Sequence, residues 1–168
     1  MVRKVTETLT CEEMTSIVDQ YGDEMLRIAV LYLGQREQAE DAVQDSFIKI
    51  YRAADKKRIC KTFVMRVLTN TCKDYLKSGW ARNVNLLEDL PDDAFCDDAY
   101  QESGALRKAI LELPIKYREV VLLRYYEDLP VGEIARILGV PQPTVSVRLK
   151  RAYTCLKKRL EGTSREDY

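Results

Sequence analysis

Residues 129–153, Leu-Pro-Val-Gly-Glu-Ile-Ala-Arg-Ile-Leu-Gly-Val-Pro-Gln-Pro-Thr-Val-Ser-Val-Arg-Leu-Lys-Arg-Ala-Tyr, leave the backbone few choices. Val131–Leu138 predicts a short helix that turns Ile134, Ala135 and Leu138 inward. Gly139 then supplies the left-handed backbone of a tight turn, and Val140 is available to pack into the core. Pro143 fits the first turn of a second helix, where its missing N–H costs nothing. Along that helix Val145, Leu149, Ala152 and Leu156 recur at helical spacing and form one buried stripe. The pattern predicts a helix-turn-helix.

The polar side of the second helix indicates its partner. Thr144, Arg148, Arg151 and Cys155 lie on a stripe beside the buried one, with Ser146 and Lys150 close by. Between Pro141 and Leu160 there are six basic residues and no acid. Small hydroxyls near the helix start, with cations behind them, suit entry into a major groove. Thr144 and Ser146 can approach bases or phosphates, and Arg148 offers a bidentate fork to guanine.

Composition narrows the alternatives. A chain of 168 residues, 46% hydrophobic and 32% charged, is enough for one compact domain or two small ones. It has no histidine, and its five cysteines include no C-x-x-C pair, so neither a zinc site nor the usual general base is expected. The expectation is therefore a non-enzyme without cofactor or metal, its thiols reduced in a cytoplasm. No run of 18 apolar residues is present, so no membrane span is expected. Met1-Val-Arg-Lys-Val-Thr-Glu lacks the apolar stretch of a secretory signal.

A net charge of zero conceals blocks of opposite sign. Residues 1–55 hold 6 basic and 11 acidic side chains, and residues 56–82 hold 8 basic ones against Asp74 alone. Residues 83–105 carry seven acids and no base, and residues 106–168 carry 13 bases and 8 acids. Two basic blocks separated by an acidic one suggest two contacts with a polyanion, nucleic acid being the obvious candidate.

Helical periodicity covers the rest. Thr10-Cys-Glu-Glu13 has capping-box spacing and opens a helix to Gly34, which Gly22 is expected to bend or divide. A second helix runs from about Arg36 to Ala54 with Ala39, Ala42, Val43, Phe47 and Ile50 on one face. Its first half is loaded with Glu37, Glu40, Asp41, Gln44 and Asp45, unsuited to DNA but suited to a basic protein. A third covers roughly Lys61–Lys77, burying Val64, Val67, Leu68, Thr71, Tyr75 and Leu76. On its polar stripe stand Arg66, Asn70, Lys73 and Lys77, while Phe63 and Trp80 could stack on an exposed base. From Asn83 to Glu102 the pattern fails in an Asp-rich run containing Pro91, read as a flexible linker. The expected architecture is all-α: a helical bundle over 10–80, an acidic linker over 81–105 and a helix-turn-helix domain over 106–162.

The order of these motifs resembles a bacterial extracytoplasmic-function (ECF) sigma factor, a promoter-recognition subunit of RNA polymerase. The segments that carry the likeness are Ala39-Glu-Asp-Ala-Val-Gln-Asp-Ser-Phe, Lys61-Thr-Phe-Val-Met-Arg-Val-Leu-Thr-Asn-Thr-Cys-Lys-Asp-Tyr-Leu, Leu113-Pro-Ile-Lys-Tyr-Arg-Glu-Val-Val-Leu-Leu-Arg-Tyr-Tyr-Glu-Asp-Leu and Glu133-Ile-Ala-Arg-Ile-Leu-Gly-Val. The resemblance implies that Glu40, Asp41, Gln44, Asp45 and Phe47 meet core polymerase. It implies that Arg66, Asn70, Lys73 and Lys77 engage the unpaired −10 element, and that Thr144, Ser146, Arg148, Lys150 and Arg151 read the −35 duplex. It also implies an anti-sigma partner. Departures are visible: the loop over 54–60 is short, Phe63 stands where Trp is common, and Ser146-Val147-Arg148 replaces a basic-Ser-Arg run. Two other classes fit the residues alone. One is a stand-alone helix-turn-helix regulator whose first bundle dimerises or senses a ligand. The other is an adaptor that binds protein without reading DNA.

Overall fold

Thr10 caps the first helix, α1 (Cys11–Leu33), as its spacing predicts. Its hydroxyl accepts from the Glu13 N–H at 3.2 Å, and the Glu13 carboxylate accepts from the Thr10 N–H at 2.8 Å. The computed structural model describes residues 8–53, 59–78 and 104–163, and within them the regular structure is all helical. Trp80, the loop at 54–58 and the acidic segment at 79–103 lie outside the described residues.

Helix α1 continues through Gly22 without a break, so of the two expected outcomes division does not occur. A glycine inside a helix costs about 1 kcal/mol. Burial of Met25, Ile28, Ala29 and Tyr32 just beyond it outweighs that cost. Gly34 ends the helix at φ +79°, donating its N–H to the Val30 carbonyl at 2.8 Å.

Helices α2 (Arg36–Ala53) and α3 (Lys61–Lys77) complete the first bundle. Ala39, Ala42, Val43 and Ile50 from α2 meet Val64, Met65, Leu68 and Cys72 from α3 in the core. The buried face of α3 differs from the expected one. Met65, Thr69 and Cys72 are inside, whereas Val67, Tyr75 and Leu76 are only half-buried. The cause is that α3 is packed both by α1 and α2 and by a helix of the second half. Burial pushes the Cys72 thiol up to about 12, against the pull of Lys49, so it stays protonated and inert. Alkylation at pH 8 followed by mass spectrometry should therefore label exposed Cys11 and Cys60 and spare Cys72 in the folded protein. Modification of Cys72 at the rate of Cys11 would contradict this burial.

The second half holds α4 (Gly104–Leu111), α5 (Ile115–Val121), α6 (Val131–Leu138) and α7 (Gln142–Thr163). Helix α5 continues into one wide π-helical turn, Leu122–Tyr126, which periodicity did not indicate. That turn keeps Leu122, Leu123 and then Glu127 buried while Arg124 and Tyr125 stay outside. Helices α6 and α7 form the expected helix-turn-helix. Gly139 joins them at φ +65°, and both its N–H and that of Val140 point at the Ala135 carbonyl. Ile137 takes the inward place expected of Leu138, which is half-buried. Val145 and Ala152 of α7 are fully buried, with Leu149 and Leu156 partly so.

One apolar cluster runs through both halves, from Met25 and Leu68 to Ile110, Leu122 and Ile134. Beside it Arg118 is buried without an acidic partner among its hydrogen bonds. Its guanidinium donates to the carbonyls of Tyr32 at 2.6 Å, Ile110 at 3.2 Å and Leu113 at 3.2 Å, and also to that of Leu111. These carbonyls sit at or just past the C-terminal ends of α1 and α4, where a cation is favoured by the helix dipole. Burial lowers the Arg118 pKa to about 10, so it remains charged at neutral pH.

Candidate nucleic-acid interface

The buried stripe of α7 fixes which side chains the helix turns outward. Ser146, Val147, Lys150 and Arg151 are exposed along one face, followed by Thr154, Lys157 and Lys158. Lys150 and Arg151 form no ion pair among the described residues, so their charge is available to an outside anion. Of the residues expected to read duplex DNA, Ser146, Lys150 and Arg151 stand on this face and Thr144 is half-buried at its margin. Arg148 turns aside, with one guanidinium nitrogen 3.6 Å from the Glu119 carboxylate of α5.

The basic residues of α3 divide in a similar way. Asn70 and Lys77 are exposed. Arg66 donates to the Arg136 carbonyl of α6 at 2.9 Å, and the Lys73 ammonium lies 3.1 Å from Glu119. The Thr62 hydroxyl donates to Glu133 at 2.5 Å. Of the α3 stripe expected to hold single-stranded DNA, Arg66 and Lys73 are thus tied to α6 and α5, while Asn70 and Lys77 stay open to solvent. Spacing puts these residues on one stripe but cannot show that the second half lies on it.

Glu119 is the hub of that packing. It is buried, and it accepts from the Tyr32 hydroxyl at 2.9 Å besides facing Lys73 and Arg148. Burial first, and then the Glu119 charge, push the Tyr32 phenol far upward, so it stays protonated as the donor. One carboxylate therefore ties α1, α3 and α7 to α5.

A second buried acid faces the other end of α3. Glu127 lies 3.1 Å from the Lys61 ammonium, which is also 3.9 Å from Glu24. Desolvation raises the Glu127 pKa; Lys61 opposes that shift and Glu24 adds to it. Burial alone would lower Lys61, but the Glu127 hydrogen bond and charge raise it. An acid with a raised folded-state pKa contributes stability that is complete below the ordinary carboxylate range and is lost as pH rises through the raised value. Glu127→Gln, which cannot ionise and leaves Lys61 beside Glu24, should gain on the wild type as pH rises from the ordinary carboxylate range through the raised value. Denaturant midpoints that differ by a constant amount across that range would count against it.

The acidic side of α2 presents Glu37, Glu40, Asp41 and Gln44 to solvent, Glu40 pairing with Arg36 at 2.9 Å. Two of the residues expected to meet polymerase are engaged internally. Asp45 accepts from the Tyr75 hydroxyl at 2.5 Å, and Phe47 packs against the apolar cores. Burial and then Asp45 push the Tyr75 phenol up to about 12. Ile48 and Tyr51, each about half exposed, continue the outward stripe. Sequence reasoning passes over both, because it assigns large apolar residues to cores.

The Sigma-70 region 2 family matches residues 17–82, and Sigma-70, region 4 matches residues 103–156. ECF RNA polymerase sigma factor SigW of Bacillus subtilis (strain 168) is 30% identical over 169 aligned positions, covering 89% of each chain. The chain belongs to the ECF sigma factors. RNA polymerase sigma factor SigV of the same organism is 29% identical, covering 94% of this chain and 96% of its own. RNA polymerase sigma-E factor of Streptomyces avermitilis is 32% identical, covering 89% and 86%. The fold is shared with solved structures of low identity. One is CnrH in complex with the cytosolic domain of CnrY, with a TM-score of 0.69, 20% identity, and 91% and 90% of the two chains covered. Another is the sigma factor RpoE in complex with the anti-sigma factor NepR from Bartonella quintana, with a TM-score of 0.71, 18% identity, and 89% and 98% covered. Sigma factors direct RNA polymerase to promoters, and this ECF sigma factor carries the α2 and α3 stripes within its region 2 match and the α7 stripe within its region 4 match.

Proposed function

We propose that this sigma factor divides promoter recognition between its two halves. Residues 10–80 hold core polymerase through Glu40, Asp41 and Gln44 of α2, supported by Asp45 and Phe47, and capture the unpaired −10 strand through Arg66, Asn70, Lys73 and Lys77 of α3. Residues 106–162 read the −35 duplex through α7, with Thr144, Ser146, Arg148, Lys150 and Arg151 at the groove. The acidic stretch at 81–105 links them; its 23 residues from 83 onward reach at most roughly 75–80 Å, enough for sites about two duplex turns apart. The observation that carries this reading is the exposed, acid-free cationic face of α7 on the second helix of a helix-turn-helix.

The work is binding, with no bond-making chemistry assigned to the chain, and it takes place in the cytoplasm. No described helix is long and apolar enough to cross a membrane. Because Arg66 and Lys73 are engaged by α6 and α5, those contacts must open before all four α3 side chains can take DNA. CnrH and RpoE were each solved with a partner. We infer that an anti-sigma protein likewise holds this chain inactive. Transcription from a promoter library by core polymerase, with and without the protein, tests the reading. New starts behind a shared two-part element are expected. Absence of new starts, together with binding of the free protein to a palindrome, would favour the stand-alone regulator.

A further inference from the structure

Val147 stands in the second turn of α7, nearly half exposed, and packs into none of the apolar clusters of the described residues. A lone exposed valine is common on protein surfaces. Three observations set this one apart. Its neighbours on the outward face are Ser146, Lys150 and Arg151, all exposed, so it is an apolar spot inside a cationic strip. It lies in the first turns of the second helix of a helix-turn-helix, the part that reaches base edges when such a helix enters a groove. Valine is also a poor choice for a solvated helix position, and no packing here compensates for it.

The groove itself narrows the complement. Phosphates, base carbonyls and amino groups are polar, and the one apolar group displayed in the major groove of B-DNA is the C5-methyl of thymine. The branched valine side chain is nearly fixed about χ1 in a helix, so it loses little freedom on binding and has a defined shape to offer. Lys150 and Arg151, three and four residues on, would hold adjacent phosphates or guanine edges and set the register.

We propose that Val147 determines promoter specificity by packing against the methyl group of one thymine in the −35 element. This rests on the reading of α7 as the −35 helix, and the test separates the two. A promoter recovered from the library is bound by wild-type holoenzyme, and each −35 thymine is replaced in turn by deoxyuridine, which removes the methyl and keeps the base pair. One position should weaken binding about 3- to 5-fold, as expected for losing one buried methyl group. Val147→Ala, an exposed change that favours the helix, should bind the thymine and deoxyuridine forms of that promoter equally. Recovery of a promoter with indifference to the methyl at every position would overturn the proposal and leave the −35 reading intact. Discrimination that persists in Val147→Ala would assign the methyl recognition to another side chain and overturn the proposal as well. A recovered promoter whose binding ignores the −35 sequence altogether would overturn both.

Discussion

Arg118→Met is expected to lower stability by about 3–5 kcal/mol, because several buried carbonyls lose their donor together. At this chain length that corresponds to a fall in Tm of roughly 10 °C. Burying a guanidinium is costly, as its lowered pKa shows, and a methionine of similar length recovers that cost. The carbonyls decide the balance. Those of Tyr32, Leu111 and Leu113 belong to the backbone, cannot be changed with the side chain, and would be left buried without that donor, whereas that of Ile110 keeps the Leu113 N–H at 3.1 Å. Each unsatisfied acceptor costs about 1–3 kcal/mol. Arg118→Lys should rescue only part of the loss, since one ammonium cannot span acceptors at the ends of two helices. A Tm for Arg118→Met within 2 °C of the wild type would show that water or a helix shift satisfies them.

The double variant Lys150→Ala/Arg151→Ala is expected to weaken promoter binding about 100-fold or more while leaving the fold intact. Both side chains are exposed and unpaired among the described residues, so their removal should change stability by no more than about 0.5 kcal/mol. A side chain bound to a base edge is worth about 1–3 kcal/mol, whereas removing a phosphate-bound cation flattens the salt dependence by about one counterion. The two roles are therefore distinguishable. Loss of preference at one −35 position indicates base recognition, and a uniform loss with a shallower salt slope indicates phosphate. Holoenzyme that binds and initiates as the wild type does would remove α7 from promoter recognition.

Local chemistry is what the sequence displays well. The Thr10–Glu13 cap, the Gly139 turn and the Val145–Leu156 stripe each depend on residues a few positions apart, and each is found in the structure. Gly22 does not divide α1, because a local propensity of ~1 kcal/mol yields to tertiary burial of the residues beyond it. The π turn after Val121 leaves no periodic mark. Neither does the pairing of Glu119 with Tyr32, 87 residues away. Arg66 and Lys73 do share one stripe of α3, yet a polar stripe looks the same whether it faces solvent, DNA or another part of the chain. Arg148 turns toward Glu119 unannounced for the same reason.

The apolar cluster shared by both halves also sets an order of events during synthesis. Domains emerge N-terminal first, at about 5–20 residues per second. When α1 to α3 have left the ribosome, Ile110, Leu122 and Ile134 have yet to emerge, so the surface they will cover is still open to water. The Tyr32 hydroxyl must meanwhile hydrogen-bond to solvent, because its acceptor belongs to a helix that has yet to emerge. Over those seconds the nascent first bundle is a sticky intermediate, and a chaperone that recognises exposed aliphatic surface would have its opportunity then.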